Sequence, residues 1–209
     1  MKKRIIFDVD GMLIPTPNYE EAVEASFQDL GIDYTSDDVT NTVRAMLNYE
    51  KSHESYNYDD YLEHIRSYVS NIEKSVLDNY FHHTERLVPH EPDIIVLETL
   101  EYLMSRHYDL GILSNYFKSV QEEKLNILGY LRYFHFILGG DEVMKPNAKA
   151  YYQVAEGIKQ DNVVFIGSSR VLDYEVPKSL GFSAILYDPN YQYPTKTLVR
   201  DFSDIRKVL

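Results

Sequence analysis

The apolar positions of the chain fall into two regimes. In several places a short continuous apolar run stops abruptly at small or polar residues: Arg4 to Phe7 before Asp8-Val9-Asp10-Gly11, Leu110 to Leu113 before Ser114-Asn115, and Phe134 to Leu138 before Gly139-Gly140-Asp141. Val163 to Ile166 stops at Gly167-Ser168-Ser169, and Ala184 to Tyr187 at Asp188-Pro189. Short runs without polar alternation are what strands buried on both faces look like. Between them, apolar residues recur at helical spacing. Pro92 is placed as the first residue of a helix carrying Ile95, Leu97, Leu100, Leu103 and Met104, and Val120, Leu125, Ile127 and Leu128 outline another closed by Gly129. Ala148 to Ile158 and Tyr174 to Leu180 give two more. Strand and helix in alternation predict an α/β fold, an open and mostly parallel sheet with helices on both faces.

Residues 15–86 break the alternation: no strand-like run appears, and the pattern reads as several amphipathic helices. Asn18-Tyr19-Glu20-Glu21 has the form of a capping box, Ser36-Asp37-Asp38 is suited to open a second helix, and Tyr58-Asp59-Asp60 precedes a third. The expected organisation is a catalytic core made of residues 1–14 and 87–209, with an inserted all-helical cap over 15–86. Two proline-stiffened passages, Ile14-Pro15-Thr16-Pro17 and Leu87-Val88-Pro89, would join them. The insertion follows the first strand, where loops at strand carboxyl ends gather over a binding crevice.

In a parallel sheet all strand carboxyl ends lie on one edge. Asp8, Asp10, Ser114 and the loop from Gly167 to Asp173 would therefore face one space, and Lys145 can reach it on its flexible stem. Each piece alone has a plainer reading. Asp-Gly is a common turn, Ser-Asn after a strand is a usual helix cap, and a lysine before proline is ordinarily solvated. It is the ordered set that carries information. Ile5-Ile6-Phe7-Asp8-Val9-Asp10-Gly11, Leu113-Ser114-Asn115, Lys145-Pro146-Asn147 and Phe165-Ile166-Gly167-Ser168-Ser169 with Asp173 resemble, in order and strand context, the four motifs of the haloacid dehalogenase-like hydrolases.

That resemblance implies a Rossmann-like core with a small helical cap and a hydrolase that works through an aspartate nucleophile. Asp8 resembles the nucleophile and Asp10 the general acid and base of the phosphatase branch. Ser114, Asn115 and Gly11 correspond to positions that hold substrate, and Lys145 to the lysine that screens nucleophile and transferring group. Mg²⁺ is the implied cofactor, with Asp8, Asp10, Asp173 and Ser168 around it; Asp173 would support either the metal or the lysine. The implied activity is hydrolysis of a small phosphorylated metabolite.

Two positions depart from the phosphatase form. Met12 stands where the family usually has Thr, and Ser168 where phosphatases usually have an acidic metal ligand, so a weakened Mg²⁺ site is expected. Ser168-Ser169-Arg170-Val171-Leu172-Asp173 is similar to the loop of the family's metal-independent dehalogenases, which keeps a 2-haloacid hydrolase as one alternative and a degenerate binding protein as another. Arg44 would then be a candidate halide ligand, although a lone helix arginine is more often solvated.

Composition narrows the partners. A net charge of −12 without a Lys/Arg stripe disfavours nucleic acid and anionic membrane. The absence of cysteine removes thiolate catalysis and Cys-based metal sites, and the apolar stretch after the basic Met1-Lys2-Lys3-Arg4 is too short for a signal peptide, so a cytoplasmic setting is expected. The adjacent His82 and His83 point about 100° apart on a helix and would not chelate one ion. The 19 tyrosines, including Tyr56, Tyr58 and Tyr61, are expected mainly to pack.

Overall fold

The computed structural model describes residues 3–69, 72–190, 192–193, 195 and 197–209, so that Met1 and Lys2 of the basic N-terminus lie outside the described residues. The apolar runs form strands β1 (Arg4–Phe7), β2 (Asp109–Leu113), β3 (Phe136–Leu138), β4 (Val163–Gly167) and β5 (Ser183–Tyr187), and a short β6 (Leu198–Val199) joins them. All pairings are parallel, in the order β3-β2-β1-β4-β5-β6. β1 is central, with Ile6 in register with Gly111 on one side and Phe165 on the other. The strand order reverses at β1 and β4, and loops leaving their carboxyl ends diverge there to open a crevice. The third strand begins two residues later than its apolar run, at Phe136, and the side chain of His135 just before it meets Asp109 at 2.8 Å.

Between β1 and β2 come helices α1 (Tyr19–Leu30), α2 (Ser36–Tyr49), α3 (Tyr58–Arg66) and α4 (Lys74–His82), and no strand occurs among the described residues of 15–86. The caps differ in detail from the sequence expectation. Thr35, not Ser36, caps α2 in a full capping box with Asp38, and Asn57 caps α3 by accepting from Asp59 and Asp60. The α1–α4 segment has its own apolar core of Phe27, Met46, Tyr49, Tyr61, Ile65 and Leu77, and that core continues onto Tyr116, Val120 and Met144 of the sheet half.

The sheet is covered on both faces. α5 (Ile94–Ser105) and α6 (Lys118–Ile127) pack with Ile5 and Phe7, while α7 (Ala148–Val154) packs with Ile6 on the other side. Burying each such side chain contributes roughly 1.5–3 kcal/mol. Asp93 rather than Pro92 starts α5, since its carboxylate accepts from Ile95 N at 2.7 Å, and α7 stops at Val154, short of the expected Ile158. The helical structure begins earlier than the expected Tyr174, as a wide π-type turn, Arg170–Glu175, that takes in part of the expected loop, and α8 (Val176–Ser179) follows it. A final α9 (Ile205–Val208) closes against α5. No helix of the described residues is long and apolar enough to cross a membrane.

Candidate active site

β1 ends into Asp8, whose N–H donates to Ile166 O of β4 at 3.0 Å, so the residue is fixed by the last rung of the ladder. Its Oδ1 accepts from Lys145 Nζ at 3.0 Å, and the same ammonium donates to Asp173 Oδ1 at 2.7 Å. Asp173 Oδ2 in turn accepts from Ser169 N at 2.9 Å. The close approach of Asp173 requires Gly167, because a Cβ there would lie 2.3 Å from Asp173 Oδ2. Asn115 fixes the lysine's backbone from both sides: Lys145 N donates to Asn115 Oδ1 at 2.6 Å and Asn115 Nδ2 donates to Lys145 O at 2.8 Å.

The charges in this chain are mutually adjusted. Burial pushes the Asp8 carboxyl up to about 7, opposed by the Lys145 ammonium and reinforced by the carboxylates of Asp173 and Asp10. For Lys145, burial works against the charge, but Asp173 and Asp8 outweigh it and hold the ammonium above its ordinary value. The lysine therefore stays charged, and Asp8 depends on that charge to be a carboxylate at neutral pH.

Asp10 faces a second set of partners that sequence reasoning missed. Its Oδ1 accepts from Lys124 Nζ at 2.9 Å and its Oδ2 from Gln121 Nε2 at 2.7 Å, and Gln121 Nε2 also reaches Ser114 Oγ at 2.7 Å. Lys124 is 0% exposed and lies against the Tyr116 ring. Its residue type reads as surface, but the signal was in the spacing. Val120, Gln121, Lys124 and Leu125 share the buried face of α6, so a lysine there needs a buried partner.

These groups converge on a cavity of about 150 Å³ lined by Asp8, Asp10, Ser114, Asn115, Lys145 and Ser169, with Tyr19 and Glu50 reaching it from the α1–α4 segment. Glu50 Oε1 accepts from Tyr56 OH at 3.1 Å and Oε2 from Asn115 Nδ2 at 3.3 Å, and burial raises its carboxyl above the ordinary range. A larger cleft of about 580 Å³ beside Tyr58, Phe81 and Phe117 contains neither Asp8 nor Lys145. The strand-end carboxylates and Lys145 line the smaller one.

Several predicted residues sit elsewhere. Gly11 is outside the cavity lining; its φ of 75° makes the turn in which its N–H donates to Ile14 O. Ser168 also lies outside that lining, beside Gly11 and Thr16, and Met12 is buried in the apolar core under the sheet. Arg44 bonds Asn41 on the exposed side of α2. Tyr61 is buried in the helical core, and Tyr58 pairs with Asp78 away from Asp8.

The donor set bears on a metal. Among the described residues no group of three or more His, Asp or Glu side chains is arranged to hold an ion. Asp173 has both oxygens engaged, by Lys145 and Ser169, and so supports the lysine rather than a metal in this arrangement. Both carboxylate oxygens of Asp10 are likewise engaged. Of the Asp8 oxygens, Lys145 holds only Oδ1.

A model of the family described as haloacid dehalogenase-like hydrolase matches residues 5–186. The chain is 30% identical over 220 residues to a phosphoglycolate phosphatase of Aquifex aeolicus, covering 98% of this chain and 95% of that protein. It is 26% identical over 230 residues to a glyceraldehyde 3-phosphate phosphatase of Methanothermobacter thermautotrophicus, covering 100% of both. Among solved structures, the L-2-haloacid dehalogenase of Xanthobacter autotrophicus shares the fold with a TM-score of 0.73 at 17% identity, over 99% of this chain and 98% of that one. With the sheet order, the four strand-end motifs and a family match over most of its length, the chain belongs to the haloacid dehalogenase-like hydrolases.

Proposed function

We propose that the protein is a phosphatase of small phosphorylated metabolites that works through an aspartyl-phosphate on Asp8. The observation that carries this reading is the second carboxylate, Asp10, which lines the same cavity as Asp8 and is aimed by Lys124 and Gln121. Attack at phosphorus must break a bond to an alkoxide, a poor leaving group, and a positioned acid meets that need. Asp10 enters the cycle carrying a proton: an oxygen of Asp8 attacks phosphorus, the bond to the substrate's alcohol oxygen breaks, and Asp10 gives that oxygen its proton. Water then attacks the phosphorus of the aspartyl-phosphate, Asp10 takes its proton, and inorganic phosphate leaves with Asp8 regenerated. Lys145 offsets charge on the transferring group, and Ser114 Oγ offers it a hydrogen bond.

Mg²⁺ fits this site only in a reduced form, held by Asp8 and the Asp10 carbonyl and completed by substrate phosphate and water, as an ion that tolerates few protein carboxylates can be. When bound it supplies neutralisation of phosphoryl charge. The α1–α4 segment acts as a cap that closes over the substrate. The cavity of about 150 Å³ suits a small one, being well below the ~300 Å³ at which pockets for drug-sized ligands begin.

One feature favours a metal-independent hydrolase acting at carbon: the neutral Ser168-Ser169 pair, with Asp173 committed to Lys145. A panel of phosphomonoesters with and without Mg²⁺, with a 2-haloacid as control, separates the two. Phosphate release that rises with Mg²⁺ and is lost in Asp8→Asn supports the phosphatase; halide release alone rejects it.

A further inference from the structure

Glu50 is the charged side chain that the α1–α4 segment contributes to the cavity, and no Lys or Arg accompanies it from that segment among the lining residues. It follows Tyr49 at the end of α2, and its place is built rather than incidental. Two backbone hydrogen bonds dock the following stretch onto the loop after β3: Tyr56 N to Gly140 O at 2.8 Å and Met144 N to Glu54 O at 2.8 Å. Gly140 makes room for this contact, since a Cβ there would lie 2.9 Å from the Tyr56 ring. Tyr56 OH and Asn115 Nδ2 then hold the two Glu50 oxygens, one each.

The two ammonium groups of the site are committed to the core's own carboxylates, Lys145 to Asp8 and Asp173, and Lys124 to Asp10. A phosphoryl group draws on Lys145. Any second anionic group on the same small substrate would have no cation left and would meet Glu50 in a confined, partly desolvated space, where like charges a few ångströms apart repel strongly. A hydroxyl or ammonium in that place would instead find an acceptor.

Resting on the phosphatase reading, we infer that Glu50 is a specificity-determining residue: it selects phosphomonoesters whose alcohol carries a hydroxyl or ammonium donor and rejects those whose alcohol carries a carboxylate. The reaction is unchanged; the discrimination lies in which leaving alcohol is accommodated.

The test compares glycerol 3-phosphate, phosphoethanolamine and 2-phosphoglycolate as substrates of the wild type, Glu50→Gln and Glu50→Lys. The two donor-bearing esters should exceed 2-phosphoglycolate in kcat/KM by at least about 30-fold in the wild type, as expected for one unfavourable charge contact. Glu50→Gln should shrink that ratio by about tenfold or more, and Glu50→Lys should invert it. A wild type that prefers 2-phosphoglycolate, or a ratio that neither variant moves, overturns the inference. Hydrolysis of p-nitrophenyl phosphate reports separately on the phosphatase reading. Where nothing is hydrolysed, calorimetric binding of the same three compounds to the wild type and to both variants must give the same order and the same dependence on position 50. Binding that ignores the substitution overturns the inference on its own.

Discussion

Asp8 carries a cost that its neighbours only partly relieve, and the cost is visible in pH. Its carboxyl is raised from 3.8 to about 7 by burial. Between those values the folded protein holds a proton that the unfolded chain releases, so stability falls as pH rises from about 4 to about 7 and stays at the lower level above that. Lys145, held above its ordinary value, contributes stability that is constant across this window. In metal-free buffer Asp8→Asn should therefore melt several degrees above the wild type near pH 8 and close to it near pH 4. A Tm difference that does not grow with pH would contradict the reading of Asp8 as a buried, charge-strained carboxylate. At this scale the sequence was legible where a residue sits at a strand end, as with Asp8, Asp10 and Ser114, or on a long stem that reaches there, as with Lys145. It was not legible where a residue's role depends on what folds against it. Lys124 is of a type that is almost always solvated, and only burial beside Asp10 makes it part of the site. Ser168 shows the converse, since its position in the motif suggests a ligand while its neighbours are Gly11 and Thr16.

Elements were legible in proportion to their length and purity. β1, β2, β4 and β5 each contain a short apolar run buried on both faces, so periodicity finds them. β6 has only two residues, of which Val199 alone is buried, and it is placed by pairing with Leu186 and Tyr187, which no local pattern encodes. The π-type turn at Arg170–Glu175 lies mostly in what reads as the Gly167–Asp173 loop; its wide geometry accompanies the bonds that bring Asp173 back to Ser169 and Lys145. For the α1–α4 segment the helical character was legible from the loss of strand runs, but its docking was not. The amides of Tyr56 and Met144 donate across the boundary, while the apolar core shared with Tyr116 and Val120 holds the segment down. If the segment opens and closes as a cap, those two amides should exchange with solvent faster than that of Ile6 in the central strand, and inorganic phosphate should slow them by about tenfold or more. Exchange as slow as in the central strand, and unchanged by phosphate, would mean a fixed segment.

For the whole molecule, a net charge of −12 coexists with a site expected to bind an anion, and the two are reconciled by distance. Long-range repulsion is screened beyond about 10 Å at ordinary salt, whereas Lys145 acts within bonding range inside a buried cavity. The fold brings this about by gathering the carboxyl ends of β1, β2 and β4 at the reversal of strand order and by laying a helical segment over them. The same architecture serves dehalogenases and phosphatases, so it cannot by itself choose between attack at carbon and attack at phosphorus. The covalent species on Asp8 does choose. Turnover of a hydrolysed phosphomonoester should be quenched in acid and the peptide bearing Asp8 examined by mass spectrometry. A phosphoryl adduct on Asp8 in the wild type, absent from Asp8→Asn together with turnover, is the predicted result; turnover that survives Asp8→Asn, or an ester formed through carbon on Asp8, would contradict it.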